Sequence, residues 1–162
     1  MKAQFVTAMA LSMVIACSQA QAQNSSPATK SVYGEIGGAG LAFSANFDGR
    51  FRGFNGIGYR IGLGFLPLTN RSIITVPLGI NVLLGKGPSF FEGEVTGTLV
   101  SSSAKFKNNV TSWFVYAHVG YRYAKPSGGF LFRLNAGPLL LSGHVYPWAG
   151  LSFGYQLKNH KH

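Results

Sequence analysis

The chain has 162 residues, enough for one domain, and a formal net charge of +10 at pH 7. Charged residues make up only 11% of it, against roughly 25% in soluble domains, while aromatic residues reach 14%. So few charged residues could not cover the outside of a soluble domain, and the many large apolar residues exclude a disordered chain. The composition therefore predicts a folded protein with one face that does not meet water.

Residues 1–22 have the pattern of a secretory signal peptide. Lys2 provides a positive charge, residues 5–16 form an apolar run, and Ala20-Gln21-Ala22 supplies a small-x-small cleavage site. The apolar run is too short to span a bilayer as a helix. This pattern predicts export and a mature chain that starts at Gln23.

The only cysteine, Cys17, lies inside the predicted signal peptide. Without it, the mature chain can form neither a disulfide nor a thiolate metal site. An alternative is that Val14-Ile15-Ala16-Cys17 is a lipobox, in which case cleavage before Cys17 would leave a lipid anchor. The competent cleavage site downstream favours ordinary processing.

Beyond a short polar leader at 23–30, apolar and polar residues alternate with a period of two, which predicts β-strands. In 54–65, large apolar residues alternate with glycines and Arg60. A soluble sheet would carry long polar side chains on its second face. A face of glycines with one charge is typical of a narrow barrel lumen, with lipid on the bulky face. The same alternation recurs in 74–84, 91–99, 113–123, 130–138 and 148–157.

These six segments have lengths of about ten residues, which suit tilted membrane strands. In 31–48 the polar phase changes across Gly37-Gly38, which indicates a bulge or a tight turn. A turn gives eight strands, and a bulge gives seven, which is anomalous for bacterial barrels because their strand number is even. The polar stretch 101–112 is predicted to be the longest extracellular loop, and this orientation also requires a turn near Gly37-Gly38. We therefore predict an all-β, transmembrane, antiparallel up-and-down β-barrel of eight strands at 31–157, followed by a basic tail at 158–162.

Several short motifs resemble those of small outer-membrane β-barrel proteins of the Bacteroidetes type. They are Tyr33-Gly34-Glu35-Ile36-Gly37-Gly38, Ile74-Thr75-Val76-Pro77, Leu83-Leu84-Gly85-Lys86, Gly120-Tyr121-Arg122-Tyr123 and Gly150-Leu151-Ser152-Phe153-Gly154-Tyr155. The resemblance covers most of the chain beyond the signal peptide and implies an outer-membrane location and insertion by the outer-membrane assembly machinery. The family carries no assigned activity. Such barrels end on an aromatic residue, whereas this chain continues past Leu157.

Six charged residues fall on strand faces predicted to be lumenal. Three are acidic (Glu35, Glu92 and Glu94) and three are arginines (Arg60, Arg122 and Arg133). Because a charge in a narrow lumen needs a partner, these residues are predicted to form a neutral ion-pair network that fills the interior. The alternative is that Glu92 and Glu94, two positions apart on one face, act as a pair of acid–base carboxylates.

The other charges of the mature chain are predicted to lie at the rims and in the tail. Ten basic residues are balanced there only by Asp48, which gives a charge of +9 once Lys2 is removed. The ten are Lys30, Arg50, Arg52, Arg71, Lys86, Lys105, Lys107, Lys125, Lys158 and Lys161. A basic rim suits anionic lipid headgroups and lipopolysaccharide phosphates. Nucleic acid would need the same charge, but an exported chain with lipid-facing aromatics predicts no such partner.

The sequence favours a non-enzymatic barrel with a structural, adhesive or small-ligand-binding role. The alternative is a lipid-modifying enzyme of the lipid A acyltransferase or deacylase type, in which His118 would act with Ser112 or Ser142. No cofactor or metal site is predicted, because His160 and His162 lie in the tail. A soluble lipocalin-like barrel fits poorly, since its exterior would be apolar.

Overall fold

The computed structural model of the protein describes residues 30–69, 71–104 and 107–157. The predicted signal peptide, with its possible lipobox, lies outside the described residues, as does the basic tail. In the described ranges, no helix is long and apolar enough to cross a bilayer.

The protein is a closed, antiparallel, up-and-down β-barrel in which each strand pairs with the next and β1 pairs with β8. The strands are β1 (Lys30–Gly37), β2 (Phe43–Arg50), β3 (Gly56–Leu68), β4 (Arg71–Lys86), β5 (Ser89–Ala104), β6 (Lys107–Ala124), β7 (Gly129–Leu141) and β8 (His144–Leu157). The predicted fold class and the count of eight strands are confirmed, and region 31–48 supplies two of the strands.

Side chains alternate between a large apolar outer belt and a polar interior. Ile61, Ile80 and Val95 are 47%, 63% and 57% exposed on the outside, whereas Glu35 and Arg60 on the inner face are buried. This reverses the arrangement of soluble proteins, in which charged residues are rarely fully buried and large apolar patches rarely exposed. The belt therefore has the surface chemistry of a barrel surrounded by hydrocarbon.

The β1–β2 hairpin is short, and its connection folds into the barrel. Gly38–Gly40 form one buried turn of 3-10 helix, and the φ angles of Gly37 and Gly38 (73° and 57°) favour glycine. Three backbone carbonyls of this turn accept hydrogen bonds from side chains on three other strands. The donors are Trp148 Nε1 to Gly38 (2.9 Å), Thr98 Oγ1 to Ala39 (3.0 Å) and Thr75 Oγ1 to Gly40 (3.2 Å).

A buried apolar cluster lies near each end of the lumen. At the end where β1 ends and β8 begins (the distal end), Ala39 of the turn packs with Phe114, Tyr116 and Leu139. At the end where β1 begins and β8 ends (the proximal end), a second cluster contains Tyr33, Ala124 and Leu131, with Phe54 packed against it. Phe54 also contacts the buried Phe90, at 5.1 Å between ring centroids. Apolar side chains therefore cover the polar interior at both ends.

The predicted long loop at 101–112 is wrong. β5 continues to Ala104 and β6 begins at Lys107, with Ser101 paired to Thr111 and Ser102 to Val110. The hairpin is rich in Ser, Thr and Val, and the β-branched residues among them favour an extended backbone. The polar composition of this hairpin therefore belongs to paired strands that extend past the apolar belt, and not to an irregular loop.

Ile61→Arg tests the facing of the belt. Ile61 lies in the middle of β3 on the outer face, so a charge there should cost about 2–4 kcal/mol of unfolding free energy in a lipid bilayer. Denaturant titration in vesicles measures the loss. Ser127→Arg, in the exposed β6–β7 connection, is the control. Equal losses at the two sites would show that this face does not meet hydrocarbon.

Candidate functional site

The barrel interior contains charges of alternating sign that contact one another in series. Arg60 lies between Glu35 and Glu94, with its Nη1 3.3 Å from Glu35 Oε1 and 3.1 Å from Glu94 Oε1. Arg133 continues the series, because its Nη2 is 2.7 Å from Glu94 Oε2 and its Nε is 2.9 Å from Glu92 Oε2. These contacts join strands β1, β3, β5 and β7.

The series continues from Glu92 to the proximal part of β2. Arg122 Nη2 is 2.7 Å from Glu92 Oε1, and its Nη1 is 3.0 Å from Asp48 Oδ1. Asp48 also accepts two bonds from Arg50 Nη2, at 2.7 and 2.8 Å. We call these eight residues the charge chain; in order of contact they are Glu35, Arg60, Glu94, Arg133, Glu92, Arg122, Asp48 and Arg50.

Asp48 and Arg50 correct the sequence prediction, which placed both at the rims. They are 1% and 4% exposed, and they make the interior a balance of four acidic groups against four arginines instead of three against three. The physical reason is that β2 stays regular through Arg50, so both residues keep the inward phase of Ser44 and Asn46. Extending the two-residue period by one more step would have found them.

Neutral side chains link the charge chain to the remaining strands. Asn81 on β4 donates to Asp48 Oδ2 at 2.6 Å, and Ser152 on β8 donates to Glu35 Oε1 at 3.4 Å. The guanidinium of Arg133 lies over the ring of Tyr33, with its Cζ 4.5 Å from the ring centroid. All eight strands therefore contribute a polar side chain to one interior network. Such extensive pairing is what buried charges require, since an unpaired ion in a low-dielectric interior is strongly destabilising.

The two neighbouring carboxylates are fully engaged within this network. Each oxygen of Glu92 accepts from both Arg122 and Arg133. Glu94 accepts from Arg60 and Thr96 on one oxygen and from Arg133 on the other. With both residues buried and every carboxylate oxygen bonded, the geometry is that of an ion-pair core rather than of an acid–base pair facing a substrate.

His118 lies in the interior but away from both serines of the enzymatic alternative. Its ring is 4.7 Å from that of Tyr116, and its Nε2 is 3.7 Å from Glu94 Oε2. Ser112 is six residues away on the same extended strand, a separation of about 20 Å. On β7, Gly137 is the position that contacts His118. Ser142 lies five residues further along, in the β7–β8 turn, which separates it from Gly137 by about 17 Å. Neither hydroxyl can therefore form a hydrogen bond with His118.

The charge chain uses every acidic side chain of the protein, so the exposed charges that the structure describes are all basic. The sequence has only four acidic residues, and all four belong to the charge chain. Four of the fourteen lysines and arginines are the paired arginines of the charge chain. The other ten basic residues have no acidic residue left to balance them. Lys30, Arg52, Lys86 and Lys125 are exposed at the proximal end, each on a different strand or connection. In the described part of the chain, no cluster of His, Cys, Asp and Glu could hold a metal ion.

Comparison with known proteins identifies the architecture. No protein-family model matches the sequence, and no curated protein matches it. The structure is similar to the N-terminal β-barrel domain of Pseudomonas aeruginosa OprF, with a TM-score of 0.53 and 9% identity over 80% of this chain and 96% of that domain. It is also similar to Neisserial surface protein A (NspA), with a TM-score of 0.50 and 13% identity over 82% of this chain and 96% of that one.

The protein thus has the fold of the eight-stranded outer-membrane β-barrels, a class to which both structural neighbours belong. At these identities, the likeness shows the fold alone.

Glu92→Gln tests whether the charge chain stabilises the barrel. It would remove the charge that two buried arginines share, and breaking a buried ion pair on one side typically costs about 3–5 kcal/mol. Lys125→Gln changes the net charge by one unit in the opposite direction at an exposed position, and it should alter stability by no more than about 0.5 kcal/mol. Urea titration of the barrel in vesicles measures both. Similar values for the two variants would contradict the account.

Proposed function

We propose that the protein is a non-enzymatic outer-membrane barrel, exported with residues 1–22 as a cleaved signal peptide, and that its closed lumen does not conduct solutes. Its role is then structural, adhesive or small-ligand-binding, through its outer surface and its distal hairpins. The charge chain is the observation that carries this proposal. Eight charges and their neutral partners occupy the cross-section of a barrel whose interior is just wide enough for side chains.

The apolar belt supports the membrane location. Large side chains on the outside of all eight strands remain exposed, among them Ile36, Phe43, Ile61, Ile80, Val95, Val119, Leu134 and Phe153. A soluble monomer rarely exposes contiguous apolar surface on this scale, whereas an outer-membrane barrel needs an apolar band around its circumference. Both structural neighbours have the same fold and come from this class.

The basic outer surface supports contact with anionic lipid headgroups. Lys30, Arg52, Lys86 and Lys125 surround the proximal end, and each basic residue near an anionic surface contributes about 1 kcal/mol. With both termini in the periplasm, these residues would face phosphate groups of the inner leaflet. The distal strand ends, where Arg71 and Lys107 begin β4 and β6, would lie at the lipopolysaccharide. We also expect the outer-membrane assembly machinery to insert the barrel.

The enzymatic alternative has less support. Lipid modification of the type considered requires a hydroxyl beside His118, and the two candidate serines lie about 17–20 Å away along their strands. Glu94, the carboxylate nearest to His118, is already bonded to two arginines.

Cell fractionation combined with heat-modifiable gel migration tests the location. The mature protein should fractionate with outer membranes, and its folded form should migrate differently from the boiled form, because a closed barrel resists detergent until heated. Recovery in the soluble fraction would overturn the proposal. Mass spectrometry of the same sample should give an N-terminus at Gln23; an acylated Cys17 would show a lipoprotein instead.

Planar-bilayer recording tests the closed lumen. We expect no stable conductance steps above those of a protein-free bilayer, because the charge chain and the two apolar clusters leave no continuous water path. A porin preparation in the same bilayer provides the positive control. Reproducible channels from the purified barrel would contradict the closed lumen while leaving the membrane location intact.

A further inference from the structure

The lipid-facing side of the barrel carries an apolar groove across β1, β2 and β3. Gly34 and Ala45, which are directly paired, form its floor, and its volume is about 610 Å³. Large apolar side chains form its walls: Ile36, Phe43, Leu63, Phe65, Ile74 and Phe153. This volume lies within the range of about 300–1,000 Å³ that is typical of small-molecule sites.

The distal end of the groove coincides with a gap in the barrel wall. Phe43–Phe65 is the last pair between β2 and β3, and Gly37–Gly150 is the last between β1 and β8. Beyond these pairs β8 continues for six residues, 144–149, and all six are exposed. Because Gly38–Gly40 turn inward, none of the strands that the structure describes fills the space between the distal parts of β8 and β3. The groove therefore opens at one end onto this gap.

Two aromatic residues on β8 mark the level of the gap. Trp148 and Tyr146 have the inward phase of the strand, yet they are 37% and 47% exposed, and β1, which ends at Gly37 opposite Gly150, does not pair with them. The indole of Trp148 is fixed by its bond to the Gly38 carbonyl. Tyr and Trp are enriched where the headgroups of a bilayer meet the hydrocarbon. In a bilayer, this enrichment would place the gap at headgroup level, with the groove extending from it along the apolar belt.

We propose that this groove is a seat for one acyl chain of a bilayer lipid, whose headgroup lies at the gap. The inference rests on the proposed function, since it requires the belt to be in a membrane. A peptide would need free main-chain partners, but the backbone under the groove is already paired within the β1–β2–β3 ladder. A second copy of the barrel, lying alongside in the same orientation, would bring together two proximal ends whose described exposed charges are all basic, which repel. A hydrocarbon chain needs neither a hydrogen-bond partner nor a countercharge.

Gly34→Leu and Ala45→Leu fill the groove without disturbing the interior. A Cβ added at Gly34 would have no neighbour closer than Ser44 O, at 4.0 Å, so the new side chain would extend into the groove. The matched control is Gly97→Leu. Gly97 is an exposed, outward-facing glycine on β5, at the opposite side of the barrel, with no neighbour within 4 Å.

The four proteins are reconstituted in nanodiscs of phosphatidylethanolamine and phosphatidylglycerol, and native mass spectrometry counts the lipids that each barrel retains. Wild type and Gly97→Leu should retain one lipid. The two groove variants should retain about tenfold less, the change expected when two methylenes leave an apolar site. A second arm with lipid A added identifies the source, because a mass shift to lipid A would assign the seat to the lipopolysaccharide leaflet.

Equal lipid retention by all four proteins, or none by wild type, would overturn the seat. A barrel dimer that Gly34→Leu abolishes would also overturn it, in favour of a second copy as the occupant. Heat-modifiable migration of the same samples shows whether each barrel has inserted. Failure to insert would count against the proposed membrane location, whereas an inserted barrel without a retained lipid would count against the seat alone.

Discussion

The cost of burying charge in a narrow barrel determines the rest of this structure. A guanidinium enclosed by eight paired strands must meet carboxylates inside the barrel, because an unpaired buried ion is strongly destabilising. The charge chain satisfies this condition by alternation: Arg60, Arg133 and Arg122 each lie between two acidic residues, and every acidic residue of the sequence takes part. Because every consecutive contact except Asp48–Arg50 crosses from one strand to another, the pairing also fixes which side chains of non-adjacent strands face each other. A slip of one residue in register would expose a charge to lipid.

Drawing all the acidic groups inward has consequences at both surfaces. The exposed charges in the described part of the chain are basic only, which suits anionic headgroups. In the lumen, the polar layer is enclosed between the apolar cluster around Ala39 and the one around Leu131. The inward Gly38–Gly40 turn contributes to the first of these. The same turn shortens the β1–β2 hairpin and so creates the gap at the distal end of the outer groove. The Gly38–Gly40 turn therefore covers the distal end of the polar interior and also leaves a gap in the barrel wall.

Much of this architecture could be predicted from the two-residue period, because each strand has one bulky and one small or polar face. The period identified the barrel, six of its strands and the phase of Arg60, Glu92 and His118, and the phase change across Gly37-Gly38 with the even strand number of bacterial barrels gave eight. It was not followed far enough to place Asp48 and Arg50 in the lumen, because β2 continues through Arg50, beyond the last residue of the region in which strands were predicted. The inward course of Gly38–Gly40 depends on hydrogen bonds from Thr75, Thr98 and Trp148, which are distant in sequence. The groove escaped prediction for the same reason, since its floor and walls come from strands that only closure of the barrel brings together.

Hydrogen exchange at the arginine side chains tests the enclosed charge chain most directly. The Nε–H groups of Arg122 and Arg133 donate to Glu92, and that of Arg60 donates to Asn46, whereas Arg52 is exposed. In nuclear magnetic resonance spectra of the ¹⁵N-labelled barrel transferred to deuterated water, the account predicts that the three interior Nε–H signals persist long after that of Arg52 has vanished. Loss of all four signals at the same rate would show that water reaches these guanidinium groups, and that the lumen is not closed by ion pairs.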